Sequence, residues 1–264
     1  MVKEKFGGDD NIVNAETDLS LSAIRHLLKG HVVNDVALCP SSLYGDIGIT
    51  LGAYMHSRMN PDLTTDSTPV MNVRDMAVQK TLILRGLTPH IININAKANS
   101  SRRTIQIEIS SQEGQHASFV VEFCKESEFV DDWKRTSFLV ESRMQALREQ
   151  IPGHEVHILR QAVAYKLFSS FVNYDKTFQG MKKVYFDPLQ WEATADVVLE
   201  VPNADQTFTV PPYWIDSIGH LSGFVLNAHL SDHNPKSVYV SHGWESLLFT
   251  KTLVLERPTE HMFE

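Results

Sequence analysis

Cysteine is almost missing from this chain: two of 264 residues, Cys39 and Cys124, both in apolar surroundings and neither in a CxxC pair. That excludes a disulfide framework or a cysteine-based zinc site and points to a reducing compartment, the cytoplasm. Positive charge is also scarce. Lys and Arg number 24 against 32 Asp and Glu, a net charge of −8, so no basic field exists to hold a nucleic acid or an anionic membrane. No window approaches the roughly 18 apolar residues that a membrane-spanning helix needs, and the first ten residues lack the apolar stretch of a signal peptide. Ligand spacings such as HExxH do not occur, and Gly7-Gly8 is not followed by a strand-turn-helix pattern, so neither a metal nor a bound nucleotide is expected. What is there, 42% hydrophobic and 21% charged, suits a soluble globular chain of one large domain or two small ones sharing a core.

Periodicity divides the chain in two. Leu21, Ile24, Leu27 and Leu28 have helical spacing and end on Gly30, placed where a helix C′ residue would fall. Pro40 stands where a second helix would begin, and that helix, Ser41 to about Arg58, carries Gly45, Gly48, Gly52 and Ala53. Each glycine costs a helix about 1 kcal/mol, so several together imply close approach of a sheet on more than one side. Alternating segments follow at Val73–Leu84, Ile91–Ala96, Thr104–Ser110 and Ala117–Cys124, and Asn11–Ala15 reads as an edge strand. An amphipathic helical stretch ends at Ile151-Pro152-Gly153. The resulting division is an N-terminal unit over 1–127, a helical connector over 128–155 and a C-terminal unit over 156–264. The C-terminal unit shows a helix over His157–Phe171, strands at Lys183–Phe186 and Glu192–Val201, a second glycine-bearing helix from Tyr213 to Leu230, and strands at Ser237–Phe249 and Thr252–Glu256. Its order repeats that of the first unit in organisation rather than in sequence.

Each unit sets an acid/base side chain beside a proline-led helix: His31 before Pro40, and Asp216 after Pro211-Pro212. On a helix turning 100° per residue, Asp216 and His220 share a face, and Asn227 returns to within about 20° of Asp216. A place in the first turn would let the helix dipole favour the ionised form of Asp216. An ionised Asp suits orienting a histidine and stabilising its cation. Spacing alone leaves other readings open. Asp216 could cap its helix, and His31 could be one of twelve structural or surface histidines. For His220, membership of a buried polar cluster is the better reading than catalysis.

His31-xxx-Asp35-xxxx-Pro40 resembles the HxxxGxxxxP motif of double-hotdog dehydratases with Asp35 in place of the Gly, and Asp216-xxx-His220 resembles their DxxxQ/H motif. More closely, Gly30 to Tyr44, Ala164-Tyr-Lys-Leu-Phe168, Asn173-Tyr-Asp175, Pro212-Tyr-Trp-Ile-Asp-Ser217, Gly223-Phe-Val-Leu-Asn227 and Ser241-His-Gly-Trp-Glu-Ser246 resemble the product template domain of fungal non-reducing polyketide synthases. That resemblance implies an α+β double hotdog, two antiparallel sheets each wrapped around a central helix. It also implies a chain shortened at both ends, mainly the C-terminus, with the second hotdog incomplete. It implies His31 as base and Asp216 as its partner, with His220, Asn227, Pro40, Tyr44, Tyr213 and Trp214 supporting them or lining the pocket. The substrate would be a poly-β-ketone carried on the phosphopantetheine of an acyl carrier protein, with no cofactor bound directly. The partners would be that carrier protein and the ketosynthase-bearing part of a synthase, with a homodimer open. The expected reaction is regioselective aldol cyclisation with aromatising dehydration. The alternatives are dehydration of a β-hydroxyacyl thioester and an inactive fragment that only binds acyl chains.

Overall fold

A computed structural model describes residues 3–6, 11–61, 69–84, 86, 89–99, 101, 103–149, 155–200, 207–228, 239–249 and 262–263. The chain opens with β1 (Lys3–Phe6), β2 (Ile12–Asp18), helix α1 (Ser22–Lys29) and a tight hairpin of β3 (His31–Val33) and β4 (Val36–Ala37). Helix α2 (Ser41–Met59) precedes β5 (Val70–Val78), β6 (Ile91–Asn99), β7 (Thr104–Ser111) and β8 (Gly114–Cys124). Helix α3 (Glu126–Arg148) leads to β9 (His157–Arg160), α4 (Gln161–Phe168), β10 (Val172–Tyr174) and a 3-10 turn at Lys176–Phe178. Then come β11 (Met181–Asp187), β12 (Glu192–Val198), α5 (Pro212–Ala228), β13 (Gly243–Leu248) and β14 (Met262–Phe263).

Alternation builds the first sheet. In β6 the residues Ile92, Ile94, Ala96 and Ala98 are buried and their neighbours are exposed, as a two-residue period with one wet face requires. The strand order is β1-β2-β6-β7-β8-β5-β13, antiparallel throughout, so β2 lies inside the sheet rather than at its edge. A second sheet has the order β14-β12-β11-β9, and β10-β3-β4 form a small third one. Helix α2 packs on β5 and β8, and α5 on β11 and β12, so each larger sheet has its own helix and the two helices pack on each other. The architecture is an α+β double hotdog.

Glycines in α2 set its closeness to both neighbours. A Cβ at Gly48 would lie 2.8 Å from Phe119 of β8, and one at Gly52 2.6 Å from the Met71 sulfur of β5. Gly45 faces the other way, toward Ile215 of α5 and Trp244 of β13. Between Ser42 and Gly52 every residue of α2 except Ile47 and Thr50 is buried, the pattern of a helix enclosed on most of its faces.

Three further expectations change. Residues 157–160 form a strand paired with β11, with Leu159 opposite Val184, instead of the first turn of a helix; four residues around Ile158-Leu159 fit either period, and the open edge of β11 decides. Gly30 adopts φ −78°, an ordinary helical value. It is glycine for space, since a Cβ there would fall 2.6 Å from the Asp175 carboxylate. Gly243–Leu248, assigned from sequence to the C-terminal unit, pairs with β5 of the first sheet, with Trp244 opposite Met76. Gly243, at φ 138°, presses so close to the Met76 carbonyl that only glycine fits, and the Trp244 indole N–H donates to the Val73 carbonyl at 2.9 Å. The Thr252–Glu256 strand lies outside the described residues.

The two halves also meet through a buried carboxylate. Asp46 of α2 accepts the backbone N–H of Val210, 2.8 Å away, just ahead of α5. Burial pushes its carboxyl up from 3.8 to about 7, against the lowering effect of the Val210 and Thr209 N–H groups. A folded-state value above the unfolded one means that this group contributes stability at low pH, lost as pH rises from about 4 to about 7. The full shift is worth on the order of 4 kcal/mol. Asp46→Asn keeps an acceptor for Val210 and removes the titration. In urea unfolding, the variant should gain on the wild type between about pH 4 and about pH 7 and level off above that; a constant difference across that range would show that Asp46 does not titrate there.

Candidate active site

His31 opens β3, which is held from both sides. Val32 and Val33 pair with Ala37 and Val36 of β4, and His31, Val32 and Val33 pair with Tyr174, Asn173 and Val172 of β10. The β3–β4 connection is the two-residue turn Asn34-Asp35, with φ 47° and 64°. Left-handed backbone at both positions is the turn type that matches strand twist, and Asn and Asp tolerate it best after glycine. Asp35 therefore stands where the dehydratase motif has Gly because the turn demands positive φ, and a short polar side chain can supply it. Strand β10 comes from the second half of the chain, so the backbone that orients His31 is not its own unit's alone.

Asp216 and His220 lie one turn apart on α5, with His220 Nε2 2.9 Å from Asp216 Oδ2. His220 is 3% exposed and the Asp216 side chain 17%. Burial works to raise the Asp216 carboxyl, but the His220 hydrogen bond and the nearby His220 and His31 outweigh it and hold the group below its ordinary value. The helix starts at Pro212, so Asp216 lies past the first turn. The dipole fades within that turn, and the two histidines do what the dipole was expected to do.

An aromatic wall encloses the site. The His31 ring lies 5.5 Å from Tyr174 and 5.9 Å from Phe178, and the His220 ring 4.0 Å from Tyr174 and 5.6 Å from Phe168. His31 Nδ1 is buried and makes no hydrogen bond among the described residues. Chemically, the site offers an imidazole next to one ionised carboxylate among apolar rings. Such an imidazole can take a proton, and its cation is then balanced where water is scarce.

The other sequence candidates take different places. Asn227 does not join the pair: its amide donates to the Gly223 and Tyr239 carbonyls, and its oxygen accepts the Tyr239 N–H. Its angle around the helix is right, but eleven residues of rise carry it about 16 Å along the axis. Tyr44 is fully buried beside the Cys39 thiol. Trp214 is buried and donates its indole N–H to the Glu200 carbonyl at 2.8 Å. Tyr213 is buried against Phe178, and Pro40 caps the start of α2. Among the described residues no three His, Cys, Asp or Glu stand close enough to hold a metal ion. Tyr165 and Tyr174 are the functional neighbours that the sequence did not single out. Both sit in segments that carry the family resemblance, but nothing in their spacing from His31, Asp216 or His220 marks them.

Solved polyketide synthase dehydratases share this fold. The dehydratase domain from the CurK module of curacin polyketide synthase superposes with a TM-score of 0.64 at 16% identity, covering 94% of this chain and 80% of that one. The CurF dehydratase domain gives 0.66 at 15%, covering 94% and 82%. The fold is thus the double hotdog of these dehydratase domains. The family profile for the polyketide synthase dehydratase N-terminal domain matches residues 142–261. In sequence, the conidial pigment polyketide synthase PfmaE of Pestalotiopsis fici is 36% identical over 262 residues, 97% of this chain and 12% of that synthase. Non-reducing polyketide synthase Preu8 of Preussia isomera is 36% identical over 269 residues, and terA of Aspergillus terreus 34% over 262, each again with 12% of the synthase covered. The chain corresponds in sequence to one segment of these fungal non-reducing polyketide synthases, spanning about 12% of their length.

Proposed function

We propose that this chain acts as a product template cyclase, closing and aromatising a ring in a poly-β-ketone held on the phosphopantetheine of an acyl carrier protein. The observation that carries the reading is an Asp216 carboxyl held below its ordinary value by its hydrogen bond to His220 and by the nearby His220 and His31. His31 removes a proton from a methylene between two carbonyls. The enolate carbon bonds to a carbonyl carbon further along the chain, and the alkoxide formed takes a proton back from the imidazolium. His31 then removes a second α-proton, hydroxide departs with the proton from the imidazolium as water, and enolisation completes the ring. A methylene flanked by carbonyls is acidic enough for a histidine near neutrality. Fixing which carbons meet is the larger task, and the aromatic wall suits it by limiting the conformations of a flexible chain. The same depressed carboxyl disfavours the dehydratase alternative, in which Asp216 would have to donate a proton to a leaving hydroxyl.

The test is to combine the chain with a ketosynthase-bearing partner and a loaded carrier protein and to compare products with and without it. A new single ring pattern supports the reading. An unchanged pyrone mixture, together with turnover of a β-hydroxyacyl thioester, would replace it with dehydration.

A further inference from the structure

No acid/base step above uses Tyr165, yet its hydroxyl lies within hydrogen-bond reach of the His220 ring that faces Asp216. That hydroxyl, on the buried face of α4, has three polar neighbours. The Met181 N–H donates to it at 3.2 Å, the Phe178 carbonyl lies at 3.2 Å and His220 Nδ1 at 3.0 Å. A phenol has one proton to donate, so it serves the carbonyl or the ring nitrogen. The Phe178 carbonyl already accepts from Ser217 Oγ at 2.8 Å, whereas Tyr165 is the hydroxyl facing Nδ1.

Two arrangements follow. If Tyr165 donates to Nδ1, the neutral imidazole carries its proton on Nε2 and donates it to Asp216, and every group in the chain is satisfied. If Tyr165 donates to Phe178, Nδ1 must carry the proton and donate back to Tyr165. Nε2 then faces Asp216 either as part of a cation paired with the carboxylate, or with a lone pair toward it, which is costly in a buried site. The packing leaves the ring no third choice, since the Tyr174, Phe168 and Tyr165 rings surround His220 at 4.0, 5.6 and 5.7 Å.

We propose that Tyr165 is a positioning residue: by donating its hydroxyl to His220 Nδ1 it fixes the Nε2–H tautomer, and through that N–H it orients the Asp216 carboxylate toward its work beside His31. Donation into Nδ1 also strengthens the Nε2–H as a donor, because hydrogen bonds in a chain polarise one another. The inference rests on the reading of Asp216 as the charge partner of His31.

The experiment has two arms. In the first, ¹⁵N NMR of the wild-type chain reads the His220 ring directly. A pyrrole-type Nε2 with a hydrogen-bonded pyridine-type Nδ1 supports the proposal, and a pyrrole-type Nδ1 overturns it. This arm needs no turnover, so it separates the tautomer from the identity of the reaction. In the second, Tyr165→Phe should lower kcat about tenfold near neutral pH and leave KM within twofold. His220→Gln provides the control, because a glutamine amide keeps an N–H for Asp216 by its covalent structure and has no tautomer to fix. In that background Tyr165→Phe should cost less than threefold. An equal loss in both backgrounds would mean that the hydroxyl matters to packing around Met181 rather than to His220, and the proposal would fall.

Discussion

Replacing His31 by alanine should abolish directed ring closure, leaving spontaneous pyrones and mis-joined rings. General-base catalysis alone accounts for about 10²–10⁴ in rate, and no other imidazole among the described residues stands beside Asp216 without already being spent. His220, the nearest substitute, has both ring nitrogens engaged, by Tyr165 and by Asp216. His31 is half-buried at the start of a three-residue strand whose backbone bonds do not involve the side chain. The variant should therefore fold with a near-wild-type melting curve. Product analysis by mass spectrometry after reconstitution is the measurement; the wild-type product profile from His31→Ala would remove this residue from the mechanism.

The second large effect is expected at Asp216. Asp216→Asn keeps the shape of the side chain and loses the charge that balances a His31 imidazolium. The amide can still turn its oxygen to the His220 N–H, so the cost falls on catalysis rather than on folding. Loss of one preorganised electrostatic partner in a site of this kind is worth about 10²–10³ in kcat. Single-turnover cyclisation with saturating carrier-bound substrate would read it. If Asp216→Asn turned over at the wild-type rate with a lowered melting temperature, the buried pairing with His220 would be a packing feature and Asp216 would leave the mechanism.

Legibility in the sequence followed element length. Strands β6, β7 and β8 and helices α2 and α5 were readable because each runs long enough to show its period. The glycines of α2 signal its enclosure through their excess over what a helix tolerates. Strands β3, β4, β9 and β10 have two to four residues, too few for alternation to show. They are specified by the turn at Asn34-Asp35 and by the edges they meet. The His31, Asp216 and His220 trio was reachable from motif spacing. Asn227 was drawn in by a helical angle that ignores rise, and Tyr165 was hidden because its partners, Met181 and His220, lie 16 and 55 positions further along the chain. Hydrogen-bond direction is a property of the folded cluster, which no local pattern encodes.

The strand exchange between the halves has a consequence for how such domains can be recombined. The second half lends β10 to the hairpin that carries His31, and it also returns β13 to close the edge of the sheet around α2. A crossover placed in α3, the natural junction by eye, would therefore graft two strangers at three seams at once: β10 against β3, β13 against β5, and α5 against α2 at Gly45. Chimeras built by exchanging one half between relatives should be insoluble far more often than chimeras that move the whole segment. The inheritable unit of specificity here is the pair of hotdogs together.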